Sequence, residues 1–547
     1  MTAFYNKHKN TILMLTAIVI AVTTAFLTIN TYGIRFQTND DATLSNIAAG
    51  AYGSDTLHMV YVNVIFSALL RPLYAVCQTN WYVIVQLVFV VVSIAVIGYI
   101  LMKKLGYLPG TVMVLAIMVG FAEHIFYTFQ YTECSFIILT AGLLMLVDNL
   151  GEINVKTVFG IALAAIGAMI RWTSFYAVGG MSACLLLYKF FCLDKPGKKK
   201  AVVVMVCLFA ATFGAKAVDV LAYKADPAWD EFTKYNAART AYSDFKILQL
   251  GEENPFADRG ITDIDYIMLN NWDFYDSERF TTQLLTDISA GGQDISFVQL
   301  IKDTIEQIKD MGTGKSYNYV FLAMCFLSVL ALRPRASSLS LIGLFGTFGL
   351  LMLYLIYEMR FPSWVEMGLI WTVSAFALYC IGEINPKLIF RCTFALLTLC
   401  FVAYISWPGY KKLYAEYPNY VEWAALEQPY FEAMSADKDN IYLLSTQSIN
   451  VAAGLDVMHP RTESFYSNIV AYGGWLSRAP HRDKALADYG LSRPLVDAVD
   501  KPNVFLDYHN IRYVEMYVEQ ELGREVYVVE TGTNAFAPYQ LVTQLPE

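Results

Sequence analysis

The chain alternates long apolar runs with short charged breaks, and its polar residues are bunched into two blocks, residues 223 to 316 and 407 to 547. The first run, 11 to 29, follows Lys7 and Lys9 and is long enough to cross the roughly 30 Å hydrocarbon core as a helix. Runs at 81 to 101, 109 to 126, 132 to 148, 157 to 170, 175 to 192, 201 to 222, 318 to 332, 338 to 356, 365 to 381 and 389 to 406 predict ten further spans. Residues 58 to 76 differ, because Asn63, Ser67, Arg71 and Pro72 interrupt the run. They predict an interfacial helix instead.

Charge fixes the expected orientation. Lys7 and Lys9 put the N-terminus inside, and the loops with Lys103-Lys104, Lys156, Lys195 to Lys200, Arg333-Pro334-Arg335, and Lys387 to Arg391 then all fall on the same side. That is the distribution the positive-inside rule requires, and a span at 58 to 76 would break it. Asp40-Asp41, both polar blocks and the C-terminus fall outside. A cleaved signal peptide is not expected, since more spans follow the first run.

Composition agrees with this class. Of 547 residues 56% are apolar and 16% charged, and mean hydropathy is +0.42, as for an integral membrane protein. The expected architecture is an α-helical polytopic membrane protein of about eleven transmembrane helices. A body at 1 to 406, with a first outer loop at 30 to 80, carries a helical outer loop at 223 to 316 and a small extracytoplasmic α/β domain at 407 to 547. The nine cysteines lie in or beside apolar runs, so a disulfide framework is not expected. The net charge of −9 identifies no partner, and no nucleic-acid partner is expected.

Within 223 to 316, Trp229, Phe232, Tyr235, Trp272, Phe274 and Tyr275 would anchor short helices on the membrane body as a lid or acceptor platform. In the C-terminal block, strand-like runs at 440 to 445, 503 to 507 and 525 to 530, with a helix near 511 to 522, predict a binding or scaffolding unit. The block contains no Gly-rich phosphate loop, metal-spaced His/Cys cluster or nucleophile elbow.

The candidate chemistry lies at the outer ends of the spans. Asp40, Asp41, Glu123 and Glu133 are acids there, and Arg71, Arg171, Lys216 and Arg360 are bases. Charges near a membrane core usually line a polar cavity or the interface. A carboxylate that takes a proton from a hydroxyl, with cations that hold a phosphate, is the chemistry of sugar transfer from a lipid phosphate. Plainer roles compete with this one. Asp40-Asp41 suit the N-cap of a helix beginning near Ala42, and Glu133 suits the cap of the following span. Arg171 and Arg360 suit snorkelling, Arg71 suits a structural role, Lys216 can pair with Asp219 on one helix face, and His58 and His124 suit the interface.

Several short motifs recur in a familiar order. Asn39-Asp40-Asp41-Ala42 opens the first outer loop, and an interfacial helix and a span ending in basic residues follow. Phe129-Gln130-Tyr131-Thr132-Glu133, Ile170-Arg171-Trp172-Thr173 and Met359-Arg360-Phe361-Pro362 come next. Over roughly residues 1 to 405 this order resembles the GT-C membrane glycosyltransferases. The resemblance implies a polyprenyl-phosphate-linked sugar donor and a glycan, lipid or protein acceptor of the cell envelope. It also implies a site on the outer face of the cell membrane and inversion at the anomeric carbon. It makes Asp40 or Asp41 the base, and Arg360 with Arg171 the holders of the donor phosphate. Arg71 and Lys216 are further phosphate candidates, and Glu133, His124 and His58 further cavity residues. Some members of the fold use a divalent metal ion and others do not, so no cofactor is assigned. A transporter or flippase and a non-enzymatic envelope scaffold are the alternatives. The chain has neither an internal repeat nor matching Gly/Pro-broken spans that would favour transport.

Overall fold

The computed structural model describes residues 2–53, 56–244, 253–290, 295–311, 315–332, 336–453, 457–462, 464–532 and 534–545. The Arg333-Pro334-Arg335 loop lies outside the described residues.

Each predicted span coincides with a helix. Among the described residues nine helices are long and apolar enough to cross a membrane: His8–Tyr32, Trp81–Leu105, Tyr107–Tyr127, Tyr131–Asp148, Trp172–Cys192, Lys195–Ala225, Ser338–Tyr357, Ser363–Ile384 and Leu388–Asn419. The other two, Val155–Ile170 and Ser316–Ala331, have 16 residues each. At 1.5 Å per residue they reach about 24 Å, short of a full span. The chain is mainly helical, with helices of the length and apolarity of membrane spans, and has a small mixed sheet near its C-terminus. The interrupted run at 58 to 76 forms a 13-residue helix, Val64–Val76, with the side chain of Asn63 capping the Ile65 amide.

Tyr131–Asp148 and Ser363–Ile384 are the enclosed centre of the bundle. Gly142 lets the first of these touch its neighbour, since a Cβ there would stand 2.6 Å from the Ala164 backbone nitrogen. At the far end of the bundle Asp148 bridges Lys103 at 2.8 Å and Lys104 at 2.9 Å, while Glu383 bridges Lys104 and Lys189. This network ties four helices together at the end opposite Asp40.

On the Asp40 face, β1 (Arg35–Phe36) pairs in parallel with β2 (Thr128–Phe129) and delivers the chain to the helix Asn39–Ala48. The last membrane helix does not stop near 406. It continues as one 49-residue helix, Leu388–Ala436, through Pro408, Pro418 and Pro429, so the compact part of the C-terminal block starts later than its composition predicts. That part is a five-stranded sheet of β3 (Ile441–Leu444), β4 (Ile469–Ala471), β5 (Val504–Leu506), β6 (Tyr527–Glu530) and β7 (Tyr539–Val542). The order is β4-β3-β5-β7-β6; β3 runs parallel to β4 and β5, and β7 antiparallel to β5 and β6. The predicted strands correspond to β3, β5 and β6, and the helix Ile511–Leu522 falls where expected.

The two polar blocks do not fold separately. Tyr235, Phe274, Tyr275 and Leu285 of the first share one core with Leu443, Val504 and Tyr517 of the second. Together they form a single cap over the Asp40 end of the bundle.

Candidate active site

The helix carrying the paired acids begins at Asn39, earlier than expected, and its N-cap residue Thr38 makes no side-chain capping bond. Consecutive residues on a helix point about 100° apart, so the two carboxylates enter different surroundings. Asp41 is fully buried. It accepts the Tyr131 backbone N–H at 2.9 Å, the Tyr82 hydroxyl at 3.2 Å and the Thr38 hydroxyl at 3.3 Å. Asp41 therefore caps a helix, but a different one from its own. Burial pushes its pKa well above the usual carboxylate range and the adjacent Asp40 adds to this, while the Tyr131 amide opposes it.

Asp40 is half-buried and has no hydrogen-bond partner among the described residues. Three guanidinium groups, Arg171, Arg239 and Arg360, act on it together with the carboxylate of Asp244. Burial raises its pKa and the arginines pull it down, and burial prevails.

Each arginine is held by its own scaffold. Arg171 is the extended residue between Val155–Ile170 and Trp172–Cys192. Its guanidinium lies 5.0 Å from the Tyr61 ring centroid and 5.4 Å from that of Tyr131, and donates to the Tyr131 hydroxyl at 2.9 Å. Arg239, on the helix Pro227–Ser243, is almost wholly enclosed. It donates to Thr240 at 2.7 Å, Asn236 at 3.0 Å, Ser243 at 3.1 Å and Tyr61 at 3.4 Å, and lies 5.5 Å from the Trp272 ring centroid. Arg360 follows Met359, whose φ of +52° is in the left-handed region that non-glycine residues rarely adopt. Asp244 joins the last two, at 2.7 Å from Arg360 and 3.4 Å from Arg239.

The structure thus brings Asp40, Arg171 and Arg360 together and places the other candidates elsewhere. Lys216 pairs with Asp219 at 2.8 Å, and the other Asp219 oxygen accepts the Val64 amide at 3.0 Å, anchoring the short helix. Arg71 is exposed on that helix. His58 stacks on Trp229 at 4.7 Å and meets Tyr223 edge-on at 4.5 Å, docking the first outer loop on the second. Glu133 is buried beside Gln37 and Asp41, and neither of its oxygens meets a well-aligned donor among the described residues. Lys315 is near both Glu133 and His124, pairing with Glu366 at 2.7 Å, and His124 stands edge-on to Tyr317 at 4.8 Å. Among the described residues no three His, Cys, Asp or Glu side chains are grouped to hold a metal ion.

Nothing in the sequence pattern marks Arg239, Asp244 or Tyr61. Arg239 and Asp244 sit in a polar block where charges are ordinary, and only folding that block onto the Asp40 helix makes them part of the site.

Comparison of the chain with protein-family models, with curated proteins and with solved structures finds no match.

Two further features adjoin the site. The carboxyl ends of β3, β4 and β5, where parallel sheets usually bind ligands, are occupied by the outer loop. Gly474 donates its amide to the Trp272 carbonyl at 2.8 Å, and a Cβ on Gly473 would stand 2.1 Å from the same oxygen. Ser448, His509 and Asp507 lie nearby but do not form a proton relay. Ser448 is buried, and it and Asp507 approach the same ring nitrogen, at 2.8 Å and 3.9 Å. The sheet instead roofs the site, with Trp475 packed 4.9 Å from Tyr61 and the Arg461 amide donating to Asn46 at 3.0 Å. Below, an open apolar groove of about 650 Å³ runs between Trp172–Cys192 and Lys195–Ala225, with Tyr176, Leu187 and Val206 exposed along it. Its lining includes Phe175 and Phe213, which pack against Trp172, the residue next to Arg171.

Proposed function

We propose that this chain is a membrane glycosyltransferase that moves a sugar from a polyprenyl-phosphate-linked donor to a hydroxyl of a cell-envelope glycan, lipid or protein. In this reading the N-terminus is cytoplasmic, and the cap with the Asp40 site lies outside. The observation that carries the proposal is Asp40, a carboxylate without a hydrogen-bond partner among the described residues, facing Arg171, Arg239 and Arg360.

Asp40 takes the proton of the acceptor hydroxyl as its oxygen attacks the anomeric carbon. The bond from that carbon to the phosphate oxygen breaks, and the electron pair leaves on the lipid phosphate. Attack opposite the leaving group inverts the anomeric centre. Arg171 and Arg360 hold the phosphate before transfer and stabilise the charge that develops on it, while the enclosed Arg239 adds its positive charge from behind. The open apolar groove beside Trp172 supports the lipid part of the reading, because an isoprenoid chain can lie along it with its phosphate toward Arg171.

Native mass spectrometry of the purified protein with a polyprenyl phosphate tests the anion site. Charge-assisted hydrogen bonds contribute roughly 1.5–3 kcal/mol, so Arg171→Gln or Arg360→Gln is expected to weaken binding about 10- to 100-fold. Binding at wild-type strength in both variants would contradict the proposed site.

A further inference from the structure

The helix Phe297–Met311 presents three faces. Leu300, Thr304 and Met311 turn toward the protein, where Leu300 packs on the membrane core and the helix leans on Ala336–Tyr357. Phe297, Val298, Ile301, Ile305 and Ile308 form a second face that is exposed, with Phe297 75% accessible. At about 100° per residue these five fall within an arc of about 100°. Gln299, Lys302, Glu306, Lys309 and Asp310 make up the third face.

The order of charges around the helix separates possible occupants of the apolar face. Lys302 and Lys309 border that face, while Glu306 and Asp310 lie farther round. Lysines at the edge of an apolar arc can lay their methylene stems along lipid and extend their ammonium groups to the headgroups. The helix also ends four residues before Ser316–Ala331, an apolar helix of the bundle. Its exposed face therefore sits at the depth where the chain enters the membrane.

We propose that Phe297–Met311 is an interfacial helix whose Phe297/Ile301/Ile305/Ile308 face is buried in the phospholipid leaflet on the Asp40 side of the membrane. It holds the cap down at headgroup level, next to the helix that leads to Arg360. The occupant is the bilayer, not a second copy of the chain or another protein. This inference rests on the membrane-embedded fold and is independent of the proposed sugar transfer.

The test uses full-length protein in nanodiscs of phosphatidylethanolamine and phosphatidylglycerol. A benzophenone amino acid replaces Ile305, Glu306 or, as a reference on a spanning helix, Ile342, which is also exposed. After irradiation, mass spectrometry is expected to find phospholipid adducts at Ile305 comparable to those at Ile342 and at least tenfold above those at Glu306. Adducts of Ile305 with protein, or a lipid yield no higher than that of Glu306 while Ile342 labels well, would overturn the inference. Absence of lipid adducts at Ile342 as well would overturn the membrane reading and this inference with it.

Discussion

Asp41 accepts the backbone N–H of Tyr131 at 2.9 Å across 90 residues of sequence, which commits this carboxylate to holding the Asn39–Ala48 helix on the bundle. Its neighbour Asp40 is left to face the arginines. The two acids therefore differ in what their loss does. Asp41→Ala strands the Tyr131 amide and the Tyr82 hydroxyl in a buried site and is expected to destabilise the protein by about 1–3 kcal/mol. Asp40→Asn is expected to leave the melting temperature in detergent unchanged while lowering sugar transfer by about 10²- to 10⁴-fold. Thermal unfolding and transfer rate, measured on both variants, check this.

The pH profile follows from the charges around Asp40. A base acts only when deprotonated, and burial raises the pKa of Asp40, so the acid limb of activity lies above the usual aspartate range near 4. Arg171 lowers that pKa and Asp244 raises it. Arg171→Gln is thus expected to move the acid limb to higher pH, and Asp244→Asn to lower pH. Rate profiles at saturating donor read both shifts, and movement in the same direction would contradict the electrostatic assignment.

Trp272 connects the cap to the site, cupping Arg239 on one side and meeting Gly473 and Gly474 on the other. Gly473→Ala places a methyl group against the Trp272 carbonyl, and such overpacking costs about 1–3 kcal/mol. Faster hydrogen exchange at 271–274 and weaker polyprenyl phosphate binding are expected, with helix content retained by circular dichroism.

His481 makes the cap sensitive to acid. It is buried between Tyr52 and Trp229, and burial, with a contribution from Arg482, lowers its pKa to about 3. The unfolded chain takes up the proton near pH 6.5 and the folded chain does not. The stability that depends on neutral His481 is therefore complete above about pH 6.5 and is lost progressively as pH falls toward 3. At pH 5 the loss is about 2 kcal/mol. His481→Phe removes this dependence, so the melting-temperature difference between variant and wild type should grow in favour of the variant from pH 7 to pH 5.

The membrane helices were legible because a span needs a long apolar run whatever its neighbours do, and Asp40, Arg171 and Arg360 stood out as charges at the ends of such runs. The 49-residue helix Leu388–Ala436 was not legible, because Pro408, Pro418 and Pro429 lie within it and proline ordinarily marks a boundary. Strands β4 and β7 were not legible either, although they are as long as β5 and β6, which were. Arg239 was hidden for another reason. Its chemistry comes from tertiary contacts with Tyr61, Trp272 and Asp244, and the polar block around it carries no periodic signal that foretells them.

The decisive measurement is mass spectrometry of polyprenyl-phosphate sugars and surface glycans from cells with the wild-type protein, without it, and with well-expressed Asp40→Asn. Both the deletion and Asp40→Asn should accumulate one lipid-linked sugar and lose one glycan decoration, which would also identify the donor. Wild-type sugar and glycan pools in Asp40→Asn cells would show that Asp40 is not the base and would contradict the proposed transfer.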